Sequence, residues 1–77
     1  MMTIRELGQD YLHSAQLVRE RAKQLREQLK HTVGTKQREA LERRIRLLQT
    51  EALQTHYIAM QLLEYDEIAN RAQRQDG

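Results

Sequence analysis

The chain contains no proline, and of its three glycines only Gly34 stands where a long helix would naturally break. Gly77 ends the sequence. Gly8 lies inside an apolar pattern, where glycine costs a helix about 1 kcal/mol against alanine. The run Thr32-Val33-Gly34-Thr35 is therefore the one strong interior punctuation. Gly34 suits the left-handed residue that follows a helix C-terminus, and Thr35 suits the N-cap of a following helix. Thr3 with Glu6 forms a capping-box pattern ahead of Ile4 and Leu7. Lys30 and His31 place positive charge where the macrodipole of the first helix favours it. These signals predict a helix over 4–31, a turn over 32–35 and a helix over 36–73. At 1.5 Å per residue the two would be roughly 42 and 57 Å long.

Apolar spacing predicts how they meet. Ile4, Leu7, Tyr11, Ala15, Val18, Ala22, Leu25 and Leu29 advance by threes and fours, averaging about 3.6, the period of a nearly straight helix with one apolar stripe. Leu41, Ile45, Leu48, Ala52, His56, Ala59 and Leu63 trace a second stripe. Folding about Gly34 pairs positions whose numbers sum to about 67. Leu25 would then meet Leu41, Ala22 meet Ile45, Val18 meet Leu48, Ala15 meet Ala52, and Leu7 meet Met60. The expected fold is all-α, a single-domain antiparallel two-helix hairpin over 1–77.

Two features exceed what one hairpin can bury. Residues 52–63 (ALQTHYIAMQLL) hold no formally charged side chain across three turns, and a helix apolar nearly all round is normally covered on several sides. Ile58, Leu62, Tyr65 and Ala69 form a stripe separate from the hairpin seam. Residues from about 64 onward overhang the first helix yet still carry Tyr65, Ile68 and Ala69. With 77 residues and no cysteine, the chain has a small core and no disulfide or Cys–zinc staple. The expectation is a homo-oligomer, a four-helix bundle or larger, with Ile58, Leu62, Tyr65, Ile68 and Ala69 at its interface. No apolar run approaches the roughly 20 residues of a membrane span, and no secretory signal pattern opens the chain. The expected location is the cytoplasm, with no membrane partner.

Charge is segregated. Residues 19–46 carry ten basic side chains against four glutamates, so the turn end of the hairpin should be basic. One reading is a solvated surface with i,i+4 pairs such as Glu39–Arg43 and Glu42–Arg46. The other is an anion site built from Arg19, Lys23, Arg26, Arg43, Arg44 and Arg46, because arginine offers a rigid fork to phosphate or carboxylate. Nucleic acid as a partner finds no motif here, and no tyrosine lies in the basic half to stack on bases.

Catalytic signatures are lacking. Asp10-x-x-His13 matches half of a helical carboxylate–histidine metal site, but Leu53 stands where a second half would need a carboxylate before His56. No metal or cofactor is expected. His56 falls opposite Tyr11 in the hairpin register, which makes the two a candidate polar core pair or small pocket. With no nucleophile motif or phosphate loop, no enzyme activity is expected.

The opening MTIRELGQDYLHSAQLVRERAKQLREQL, the short turn and EALERRIRLLQTEA together resemble short uncharacterised two-helix accessory proteins of bacterial mobile elements and phages. That resemblance implies a small regulatory, inhibitory or counter-defence module acting by stoichiometric binding, in the cytoplasm of the producing or infected cell. Two alternatives stand beside it. One is an oligomer that sequesters a small phosphate-bearing, nucleotide-like ligand between chains. The other is a non-specific nucleic-acid accessory protein using its basic turn end.

Overall fold

The computed structural model describes residues 1–75 and is all-helical, with α1 (Ile4–Lys30), a short turn and α2 (Thr35–Gln75). Among the described residues there is no strand. The two helices lie along one another as a helical hairpin with extents of 65 × 18 × 16 Å. Gly8 lies against Ala59 and Leu63, and Arg38 bonds the carbonyl of Leu29. The register is thus one in which paired numbers sum to about 67.

Each end of α1 has an identifiable cause. Thr3 is the extended N-cap; its Oγ1 accepts from the Glu6 backbone N–H at 3.1 Å and donates to Glu6 Oε1 at 3.1 Å. At the other end the expected left-handed glycine is not used, because among the described residues no glycine has positive φ. The helix instead tightens: the amides of His31 and Thr32 bond back three residues to Gln28 and Leu29. Thr32 Oγ1 donates to the Gln28 carbonyl at 2.8 Å. Arg38 reaches back from α2 and donates to the carbonyls of Leu29 and Thr32, each at 2.9 Å. One guanidinium therefore satisfies the Thr32 carbonyl, adds a second donor to that of Leu29 and ties the helices together at the turn. Thr35 is not the N-cap but the first helical residue; the Gly34 carbonyl accepts from the Arg38 amide at 2.9 Å, so Gly34 takes the cap position.

The seam follows a seven-residue repeat. Gly8, Ala15 and Ala22 are buried on α1, and Ile45, Ala52 and Ala59 on α2. That repeat, rather than a 3.6 drift, is the coiled-coil period. It also corrects one expected pair. Leu7 and Met60 do not meet at the seam, since they are 37% and 48% exposed while Gly8 and Ala59 are buried between them. A Cβ on Gly8 would stand 2.9 Å from Leu63 Cγ and 3.4 Å from the Ala59 carbonyl oxygen. Glycine here lets α2 approach closely.

Small side chains at the seam leave a thin core. Among the described residues the buried apolar side chains are Ala15, Ala22, Leu25, Ile45, Ala52 and Ala59. Burying a methyl group stabilises by roughly 0.8 kcal/mol, against about 1.5–3 for a whole leucine or isoleucine. Four of the six positions therefore contribute at the low end. The chain exposes 6430 Å², whereas a compact monomer of its 9.2 kDa would expose roughly 4,900 Å². Ala52→Leu is expected to force the helices apart and destabilise the fold by about 1–3 kcal/mol. Thr50→Gln, on the exposed back of α2, should stay within about 0.5 kcal/mol. Thermal melts followed by circular dichroism check both.

Candidate interaction surfaces

The hairpin has two flanks, one on each side of the seam, and helical geometry sorts side chains between them at about 100° per residue. Arg19 and Arg26 of α1 and Gln49 and Leu53 of α2 line one groove of about 400 Å³, with Ala22 and Ala52 as its floor. The depth comes from those alanines, which fill little of the space between the helices. On this flank Leu53 is 66% exposed. Neither arginine has a carboxylate within ion-pair distance among the described residues; the ion pairs there are Glu27–Lys30 and Glu67–Arg71. The groove thus combines two free guanidinium groups with an apolar wall, a combination suited to an anion that carries an apolar body.

The candidate anion-binding residues do not share one face. Arg19 and Arg26 line the groove, and Lys23 is exposed on the same helix. Arg43 and Arg44 leave α2 about 100° apart. Measured from the buried Ala59, Arg44 turns about 60° towards the other flank, while Arg43 and Arg46 point to the back of α2. Lys23, Arg43, Arg44 and Arg46 are all open to solvent. The expected Glu39–Arg43 and Glu42–Arg46 pairs do not form among the described residues. Lys30 is engaged, donating to Glu27 at 3.0 Å, and this bond holds the Glu27 carboxyl below its ordinary value. Arg38 is occupied by the turn carbonyls. Sequence reasoning counted it with the other basic residues; nothing in its local pattern marks the clamp.

The opposite flank is apolar. It carries Leu7 and Val18 of α1 and Leu48, Ile58 and Leu62 of α2, all turned away from the groove side of the seam. Val18, Leu48 and Leu62 are half-buried, Leu7 is 37% exposed and Ile58 is 42% exposed. Tyr65 continues this flank along the overhang at 61% exposure, and Ala69 is half-buried there. Ile68 departs from the set. It lies nine residues past Ala59, hence about 180° round the helix, on the back of α2.

Tyr11 and His56 are level with each other, but they do not form the expected hydrogen bond. Tyr11 turns to the apolar flank and is 37% exposed, while His56 turns about 60° to the groove side. The His56 Nδ1 atom is buried without a partner. Asp10 and His13 are both exposed, and among the described residues no three potential metal ligands converge.

At the open end, α2 outruns α1 and leaves a polar crevice lined by Arg5, Asp66, Glu67, Asn70 and Arg71 with Leu63 and Arg74. Arg71 bonds Glu67 at 2.6 Å and Asn70 donates to Asp66 at 3.3 Å. Arg5 and Arg74 make no ion pair there among the described residues. No helix of the described residues is long and apolar enough to cross a membrane. No protein-family model matches the chain, and no curated protein or solved structure shows significant similarity to it.

The split of the basic residues has a measurable consequence. In calorimetric titration with tripolyphosphate, Arg19→Glu and Arg26→Glu should each lower affinity at least about tenfold, because charged hydrogen bonds contribute about 1.5–3 kcal/mol. Arg44→Glu, on the other flank, should leave it within about twofold. Equal losses for all three would show diffuse attraction rather than a groove.

Proposed function

We propose that this chain is a non-enzymatic homo-oligomeric protein: an antiparallel helical hairpin whose apolar flank packs on a second copy as a four-helix bundle. It acts by binding another macromolecule stoichiometrically, as a small regulatory or inhibitory module. The observation that carries this reading is the pairing of an alanine-rich seam with a partly exposed apolar flank, on which Leu7, Ile58 and Tyr65 are open to solvent. A hairpin that buries mostly methyl groups gains little from its own core, and leucine and isoleucine side chains left on one flank can add what is missing. The groove on the other flank would stay accessible in such an assembly. The resemblance to mobile-element and phage hairpin proteins supports a regulatory or counter-defence role.

A second reading has its own observation. Arg19 and Arg26 over the Ala22–Ala52 floor offer an unpaired, partly apolar site. An oligomer that sequesters a small phosphate-bearing ligand would use that groove and no chemistry beyond binding.

Light scattering at about 10 µM, a concentration where an interface stronger than about 8 kcal/mol is mostly formed, should give a multiple of the 9.2 kDa chain mass. Leu62→Glu should reduce the mass to one chain and lower the melting midpoint, because it would bury an unpaired charge. A helical, stable monomer for the unmodified chain would end this reading.

A further inference from the structure

The apolar flank is not uniform along its length. Four exposed charged side chains lie on or beside it: Arg44 and Glu51 on the same stripe of α2 as Ile58 and Leu62, Arg21 on α1 and, further round α1, Asp10. None makes an ion pair among the described residues; Arg21 bonds only the neutral Gln24, at 3.3 Å. With the register fixed by Gly8 against Ala59 and Arg38 against Leu29, Arg44 is level with about residue 23 of α1 and Glu51 with about residue 16. The arginines thus form one band towards the turn. The carboxylates form a second band nearer the open end, about 13 Å away along the axis.

Two hairpins sharing this flank can run with their turns together or apart. With the turns together, Arg21 and Arg44 of both copies gather into one cluster of four guanidinium groups, and the carboxylates gather likewise. With the turns apart, each arginine band faces a carboxylate band. Charges that rim an apolar interface set orientation and exclude wrong partners more than they add affinity. We infer that the second copy lies with its turn at the opposite end, Arg21 and Arg44 of each copy facing Asp10 and Glu51 of the other. This inference rests on the proposed self-association and specifies its geometry.

Two further observations agree with that arrangement. A two-fold axis midway between the bands passes close to Val18 and Leu48, which are half-buried and apolar. About the same axis the overhang of one copy reaches the turn of the other, so the exposed Tyr65 (61%) arrives level with the exposed Val33 (93%). The body is 65 Å long and at most 18 Å wide, so one side of it has room for the roughly 800 Å² that each partner buries in a stable interface. The functional consequence is bivalency. The Arg19–Arg26 grooves would face outward on opposite sides of the dimer, both near its midpoint, so one dimer presents two sites back to back.

The chain has no cysteine, so Lys36→Cys and Glu64→Cys each create a single attachment point for a nitroxide on the full chain. Both positions are exposed, one near the turn and one at the open end. Pulsed dipolar spectroscopy on either labelled variant alone should give an intermolecular distance of about 40 Å, the axial offset of some 27–29 residues. Mixing the two labelled variants should add a distance below about 25 Å, because residue 36 of one copy becomes level with residue 64 of the other. Short distances in the single-variant samples and long ones in the mixture would overturn the orientation while leaving self-association standing. A one-chain mass with no intermolecular coupling would remove both.

Discussion

The close approach of α1 and α2 along a glycine and alanine seam is the constraint from which the other features descend. Gly8, Ala15 and Ala22 meet α2 where Ala52 and Ala59 are also small. Small residues at heptad positions let two helical backbones pack tightly, but they give up the area that stabilises a core. A thin seam also leaves the larger apolar side chains on its flanks instead of between the helices. Leu7, Ile58 and Met60 remain partly exposed for that reason, although each lies on a helix already in contact with its partner.

The two flanks then divide according to what borders them. On one, Arg19 and Arg26 rise over the alanine floor and face Gln49 and Leu53. On the other, leucine, valine and isoleucine share the flank with the exposed Arg44 and Glu51. Only the first offers unpaired guanidinium groups beside a cavity, and only the second offers apolar area long enough for a second hairpin. In the proposed assembly these roles are compatible, because covering the apolar flank leaves the groove free.

Much of the fold was legible from Gly34, the missing prolines and the spacing of apolar residues. The Thr3–Glu6 capping box is present as its pattern implied. The turn was not legible in detail. Gly34 reads as a left-handed C-terminal residue by composition, but Arg38 supplies the acceptors' partner from α2, so that conformation is unnecessary. That clamp depends on a contact across the turn, which local pattern does not encode. Gly8 reads as a cost to α1 and proves to be a packing residue; the seven-residue spacing to Ala15 and Ala22 was the signal for it. The Tyr11–His56 pairing failed because equal level does not mean equal side. Tyr11 and His56 turn to opposite flanks, and angular position decides contact when the helices lie this close. The six candidate basic residues divide between faces for the same reason.

The central claim is that the hairpin's stability depends on covering its apolar flank with a second copy. The most direct measurement is the thermal unfolding midpoint of the unmodified chain over a hundredfold dilution, followed by circular dichroism. Coupling between folding and association makes the midpoint rise with concentration by mass action. The account predicts a steady fall in midpoint as the chain is diluted, with helicity lost at progressively lower temperature. A reversible transition whose midpoint does not move across that range would contradict it.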